Sequence, residues 1–304
     1  MKKILVLMSS YNGEQYIDEQ IESILLQKGC KVKLLVRDDG STDSTKEILE
    51  KYHRSGKLDW YTGENLRSAK SFINLIINCP KEYDYYAFSD QDDVWDFDKL
   101  YTAVQLLDKN KKKPTIYCSN ALLVDENLNS LDQYVYKHKP EFTLERILIS
   151  GEIQGATMVM NKHLVKYLDQ TEMPEYVPMH DYYISVLCCA LGGEIIYDEN
   201  SHMCYRQHSH NVLGVSTSVS SRIKRNIKRV IKQNSFLDLE KFSYLFLLKN
   251  KDKLTNHAVD VLSLASEYKK NFLSRVQLAF LPNLNFGRWN QNITYKIAII
   301  LGNL

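Results

Sequence analysis

The chain has 304 residues, 44% hydrophobic and 25% charged, globular values that allow one large domain or two smaller ones. No run of about 20 apolar residues occurs, which excludes an ordinary spanning helix. The formal net charge is only +2, but residues 215–304 hold 15 Lys and Arg against 5 Asp and Glu, a net of +10 that leaves −8 for residues 1–214. An acidic front and a basic back suggest two jobs.

The opening Met1-Lys2-Lys3 and Ile4 to Met8 are too short for a signal peptide. No small-residue cleavage site follows, and Ser9 to Gln15 turns polar at once. The expectation is a cytoplasmic protein. Six cysteines are scattered without zinc-site spacing, so reduced, buried thiols are the default there.

Lys3 to Ser9 reads as a buried strand. A helix follows from Glu14, with Ile17, Ile21, Ile24 and Leu25 at helical spacing. Val32 to Val36 is a second strand, ending in Arg37-Asp38-Asp39-Gly40-Ser41-Thr42-Asp43. There Gly40 supplies the turn, and Ser41 or Thr42 can cap the next helix. A short strand, Leu58 to Tyr61, leads to Asn65 and a helix burying Phe72, Leu75 and Ile76. Tyr85 to Ser89 is the next strand. It ends in Asp90-Gln91-Asp92-Asp93, with Asp96 as a plausible cap for the helix carrying Leu100, Val104 and Leu107. Thr115 to Val124 reads as a strand, Phe142 to Ile149 as a helix and Ile153 to Met160 as a strand. Tyr182 to Leu191 reads as an apolar helix, and Glu194 to Tyr197 and Met203 to Arg206 as strands. Alternating strands and helices predict an α/β fold with a doubly wound, mostly parallel sheet, whose ligands bind beyond the carboxyl ends of the strands. Three polar clusters fall at such ends, around Ser10-Tyr11-Asn12, Asp38-Asp39 and Ser89 to Asp92.

After a serine-rich linker, Arg222 to Lys232 places six cations around Ile223, Ile227, Val230 and Ile231, a basic amphipathic helix. The remainder to Leu304 reads as mostly helical. Residues 1–214 are therefore expected to form an α/β domain and 215–304 a basic helical region. That helix would face an anionic membrane surface, its own domain or a second subunit in a homodimer.

Each cluster has a bland alternative. Asp90 and Asp92 can be a surface loop, or the oxygen ligands of a divalent cation on a diphosphate. Asp38 and Asp39 can shape a turn, or accept the imide N–H of uracil or thymine. His180-Asp181 can favour a helix dipole, or supply a general base. His208 and His210 lie on one side of an extended segment, and His208 is the expected third metal ligand. Imidazole suits Mn²⁺ better than Mg²⁺. Lys70 and Arg67, beside Asn65, can neutralise phosphate or merely be solvated. Trp95 can pack against a sugar or in the core.

Taken in order, Ser10-Tyr11-Asn12-Gly13, Asp38 to Asp43, Asn65 with Ala69, Ser89 to Asp93, Gly155-Ala156, His180-Asp181 and His208 resemble glycosyltransferase family 2 over residues 1–214. The resemblance implies the GT-A fold and inverting transfer of a sugar from a nucleotide donor. It implies that Asp39, with Asp38, binds the base, with Ser10 and Tyr11 nearby and Asn65 and Lys70 at the donor. It further implies that Asp90 and Asp92 with His208 hold Mn²⁺ or Mg²⁺, that Asp181 is the base, and that Gly155, His180 and Trp95 line the acceptor and sugar pocket. Arg67 departs from a common glycine, and His180 from a common glutamate. Ser89 to Trp95, His180-Asp181 and Tyr205 to His208 look like the bacterial rhamnosyltransferase branch.

The expected partners are a dTDP- or UDP-sugar donor, a polyprenyl-diphosphate-linked glycan and the inner face of the cell membrane. No nucleic-acid partner is expected. Two rivals come from other classes. A sugar nucleotidyltransferase would carry a basic glycine-rich loop after the first strand, where Ser10 to Glu14 is acidic instead. A non-catalytic binding protein would not need Asp90, Asp92 and Asp181 together.

Overall fold

A computed structural model of the chain describes residues 1–110, 112–151, 153–168, 172–208 and 237–304. The front of the chain alternates as its periodicity predicts: β1 (Lys3–Ser10), α1 (Ile17–Leu25), β2 (Lys31–Asp38), α2 (Thr45–Arg54), β3 (Asp59–Thr62), α3 (Arg67–Asn78) and β4 (Tyr85–Ser89). Next come β5 (Val94–Trp95), α4 (Lys99–Leu107), β6 (Thr115–Val124), β7 (Ser130–Tyr134), α5 (Leu144–Ser150), β8 (Val159–Asn161), α6 (Lys162–Val165), α7 (His180–Ala190) and β9 (Glu194–Arg206). Among the described residues four further helices follow: α8 (Leu239–Asn250), α9 (Asn256–Ser266), α10 (Phe272–Ala279) and α11 (Trp289–Leu301).

The strands form one nine-stranded sheet in the order β3-β2-β1-β4-β8-β6-β9-β5, with β7 beside β6. The β3-β2-β1-β4 half is parallel, while β8 runs antiparallel to both β4 and β6, so the sheet is mixed. Both faces of the parallel half are covered, which explains its near-continuous apolar strands. Alternate residues of β1 serve opposite sides. Leu5 and Leu7 join one cluster with Phe72 and Leu75, and Ile4, Val6 and Met8 join another with Ile17, Ile21 and Ile24.

Several elements differ from expectation for identifiable reasons. Ile153 to Met160 is not one strand: Gly155–Thr157 forms a 3₁₀ turn before β8. The Gly155 N–H goes to Asp181, and the amides of Thr157 and Met158 bond back to Gln154 and Gly155, so none is left for a ladder. The two strands expected at Glu194 and Met203 are one, with bulges against β6 at Ser119 to Leu122. The helix after the acidic run begins behind Asp98 rather than Asp96. Neither Ser41 nor Thr42 caps α2. Ser41 bonds to Asp38, and Asp43 takes the N–H and hydroxyl of Thr45.

The C-terminal helices share the core of the sheet. Phe242 of α8 packs edge-on against Tyr182 of α7 at 4.7 Å, and Leu262 and Ile299 join the same cluster. No helix among the described residues is long and apolar enough to cross a membrane. The expected division at residue 214, the basic segment Arg222 to Lys232 and His210 all lie outside the described residues.

Candidate active site

Parallel registration brings the polar clusters together. Ser10 at the end of β1 stands opposite Asp38 at the end of β2, and Met8 stands opposite Ser89 at the end of β4. Gln91 closes the gap: its Oε1 accepts the Tyr11 N–H at 2.8 Å and its Nε2 donates to the Tyr11 carbonyl at 3.1 Å. Gly13 leaves room for this clamp, since a Cβ there would stand 2.4 Å from Gln91 Oε1 and displace it. The Tyr11 ring remains exposed to the crevice mouth.

Asp38 is fully buried and accepts bonds from Gly40 N–H (3.1 Å), Ser41 N–H (3.0 Å), the Ser41 hydroxyl and Thr62 Oγ1 (3.0 Å). The Ser10 hydroxyl approaches it from β1 at 3.5 Å. Its carboxylate is thus consumed by the turn, which makes it a frame for Asp39 rather than an open acceptor. Asp39 pairs with the Arg37 guanidinium and takes the Leu66 N–H at 2.9 Å. Arg37 is fixed in turn by the Ser71 hydroxyl and the Glu64 carbonyl. Asn65 is exposed and spends its Oδ1 on the Arg67 N–H, and Lys70 is exposed on the first turn of α3.

The β4 end is different. Asp90, Asp92 and Asp93 crowd together, and Asp93 Oδ2 has no hydrogen-bond partner among the described residues. Burial, then Asp92 and then Asp181 push the Asp90 carboxyl up to about 7. Burial, then Asp92 and then Asp90 hold Asp93 well above the ordinary range. His208 Nε2 meets Asp92 Oδ2 at 2.8 Å, and its ring stacks on Tyr16.

Two cations that the local pattern did not reveal answer this repulsion. Lys99, on the first turn of α4, is wholly buried. Its ammonium donates to the Ala156 carbonyl at 2.7 Å and lies 3.4 Å from the centre of the Trp95 ring. Burial pulls Lys99 down to about 7, while Asp93, Asp90 and Asp96 pull the other way. Arg206, at the end of β9, donates its backbone N–H to Asp93 and its Nε to the Asp92 carbonyl at 2.7 Å. Its Nη2 reaches Glu19 at 2.6 Å.

Asp181 opens α7. Its Oδ2 takes the Gly155 N–H at 3.1 Å and its Oδ1 takes the Tyr182 N–H at 2.7 Å. Burial raises its carboxyl to about 6 despite these bonds. The turn that holds it through Gly155 also receives the Lys99 ammonium on its Ala156 carbonyl, which links Asp181 to the β4 end. His180 and Trp95 depart from expectation. His180 is stacked on Phe72 at 4.1 Å, edge-on to Phe88, and burial drives its basicity down to about 3, so it is a neutral wedge behind Asp181. Trp95 is 4% exposed and sits in the core under Lys99, because β5 pairs with β9 and turns the ring inward. Gly155 touches both partners of the base, since a Cβ there would lie 2.5 Å from His180 Nε2.

His208 meets Asp92 beside an unsatisfied Asp93 oxygen, a donor set of the kind hard divalent cations take, but the expected ligands Asp90, Asp92 and His208 are not drawn into one three-donor group. Among the described residues a different group has that spacing. Donor atoms of Asp96, Asp98 and His202 lie within 4.8 Å of one another. His202 is held on its other nitrogen by Asp198 at 3.1 Å.

Acids thus gather at the ends of β2 and β4 in a mixed sheet, and Asp181 opens α7 beside the turn that precedes β8. The chain belongs to glycosyl transferase family 2, whose model matches residues 5–168. It is a glycosyltransferase with a GT-A-like fold. It is 26% identical to the dTDP-rhamnosyl transferase RfbG of Shigella flexneri over 97% of this chain and 98% of that protein. It is 28% identical to the Escherichia coli UDP-Glc:alpha-D-GlcNAc-diphosphoundecaprenol beta-1,3-glucosyltransferase WfgD, over 60% of this chain and 67% of that one. Another match is a longer protein: the chain spans 42% of an uncharacterised glycosyltransferase of Rickettsia bellii. The fold is shared with S. aureus TarS 1-349, solved with UDP-GlcNAc, at TM-score 0.55 and 18% identity over 99% of this chain and 91% of that one.

Proposed function

We propose that the protein is an inverting glycosyltransferase that moves a rhamnosyl group from dTDP-rhamnose to a hydroxyl of a lipid-linked glycan in cell-surface polysaccharide synthesis. The observation that carries the reading is the pairing of an acid-rich strand end with Asp181, a carboxylate oriented by two backbone N–H groups and poised at about 6. RfbG, matched end to end, supports rhamnosyl as the sugar. WfgD, named for a diphosphoundecaprenol acceptor, supports a lipid-linked acceptor, and its UDP-glucose donor makes a UDP-hexose the second reading. The basic balance of residues 215–304 supports work at the anionic inner face of the membrane.

In this mechanism Asp39 receives the imide N–H of the base. A carboxylate offers about four lone-pair sites, so its bonds to Arg37 and Leu66 leave room for one more. Asp38 holds the turn that aims Asp39. Asp90, Asp92 and His208 would hold Mn²⁺ or Mg²⁺. Such an ion, when bound, neutralises charge on the departing diphosphate. Asp181 removes the proton of the acceptor hydroxyl as that oxygen bonds to C1 of the sugar. The C1–O bond to the diphosphate breaks on the opposite face and its electron pair leaves with the nucleotide, so one displacement inverts the anomeric centre. Gly155 and Tyr182 orient the base, and Lys99 and Arg206 brace the acidic loop against it.

The test is donor hydrolysis and transfer screened over dTDP-rhamnose, UDP-glucose and UDP-galactose, with Mn²⁺, Mg²⁺ and EDTA arms. Turnover of dTDP-rhamnose that EDTA abolishes and Mn²⁺ restores is expected. Turnover of UDP-hexoses alone would replace the rhamnosyl reading by the second one. Full activity in EDTA would remove the metal.

A further inference from the structure

The outer face of α11 carries an apolar stripe that the fold does not use. Trp289, Ile293, Ile297 and Leu301 recur every fourth residue, so they share one helix face, and they are 77%, 48%, 44% and 54% exposed. The opposite face, with Tyr295, Ala298 and Ile299, is buried against the body of the protein. Phe280, at the end of α10, extends the stripe sideways. It is 61% exposed, and the Lys296 ammonium lies 4.7 Å from the centre of its ring. Arg275 of α10 reaches the Ile300 carbonyl, which ties the two helices into one unit.

Cations outnumber acids around this face, where Lys270 pairs with Glu267 at 3.6 Å and Arg275 is spent on the Lys269 and Ile300 carbonyls. Between residues 268 and 304 there are five cations (Lys269, Lys270, Arg275, Arg288 and Lys296) and no Asp or Glu. We infer that the α10–α11 face is a membrane-docking surface that lies flat on an anionic lipid bilayer. Its apolar stripe enters the headgroup boundary and its cations meet lipid phosphates. A two-fold contact between copies would set Lys269, Arg288 and Lys296 against their counterparts with no acid of the same segment to answer them, which disfavours a second copy. Anionic headgroups supply the missing charge, and exposed Trp and Phe rings settle at that depth. A face of this kind would hold the crevice near a lipid-linked acceptor. That consequence rests on the proposed function; the binding itself does not.

The test is flotation of the full-length protein with vesicles of phosphatidylglycerol and phosphatidylcholine, against phosphatidylcholine alone. The wild type is expected to float with the anionic vesicles. Ile293→Glu with Ile297→Glu should lower the bound fraction about tenfold or more. Reversing Arg288 and Lys296 to Glu should lower it less. Trp289→Phe, at a fully accessible position, should abolish the vesicle-induced blue shift of tryptophan emission and serves as a second readout free of folding defects. Donor hydrolysis in the double glutamate variant should equal that of the wild type, so loss of docking and loss of catalysis are read separately. Unchanged flotation of that variant would overturn the proposal. So would a change in its solution mass from dimer to monomer without a change in flotation, which would assign the face to a second copy.

Discussion

Two acidic clusters sit at neighbouring strand ends and have opposite electrostatic fates. At the end of β2, Asp38 is saturated by hydroxyls and backbone N–H groups, and Asp39 is paired with Arg37. Burial opposes ionisation of Asp43 there, but bonds from Thr45 and the Glu14 N–H outweigh it and pull the carboxyl below its ordinary value. At the end of β4, burial and mutual repulsion raise Asp90 and Asp93, and one Asp93 oxygen is left without a partner. The first cluster is a finished piece of architecture. The second is repulsion held in place by Lys99 and Arg206, which is what a cation-binding loop needs before its cation arrives.

The largest expected effect lies across from the second cluster. Asp181→Asn should reduce kcat by about 10³-fold and leave donor affinity within about twofold, measured by single turnover and calorimetry. In the wild type, kcat/KM should rise with pH and level off above about 6, because the base acts only when ionised. Retained turnover in the variant would remove Asp181 from the mechanism.

Asp38→Ala should cost about 2–4 kcal/mol in denaturant unfolding, since it strands buried N–H and hydroxyl donors. Gly155→Ala should lower kcat about 10²-fold. The new methyl meets His180, which Phe72 and Phe88 prevent from yielding, so Asp181 is displaced.

Asp90→Asn should do the reverse of Asp38→Ala and stabilise the metal-free protein by about 1 kcal/mol at pH 8. The sign follows from the raised carboxyl. Between about 4 and about 7 the folded state keeps a proton that the unfolded chain has lost, so stability falls as pH rises. Asparagine removes that loss. Destabilisation of similar size in both variants would erase the contrast between the clusters. The smallest effect belongs to Lys70→Ala, expected to change donor KM less than about threefold because the side chain is exposed and screened.

Much of this was legible in the chain. The β1 to β4 alternation follows from apolar periodicity, and acids just past buried strands mark the crevice by position alone. Lys99 was not legible, because a lysine opening an amphipathic helix reads as solvated until β8 and β9 close over it. Trp95 read equally well as a sugar platform and as core until pairing of β5 with β9 decided it. The Ile153 to Met160 stretch was misread because Asp181, 26 residues away, claims the Gly155 amide and those of Thr157 and Met158 close a turn.

By itself the sequence determined which residue types stand at each strand end, since a strand's length and its turn residues are local properties. Only the tertiary structure decided which carboxylates are satisfied. Thr62 and Leu66 answer Asp38 and Asp39 across 24 and 27 residues, and Arg206 reaches Asp93 across 113. Whether a carboxylate is architecture or a waiting ligand depends on partners that distant, and distance in sequence carries no electrostatics.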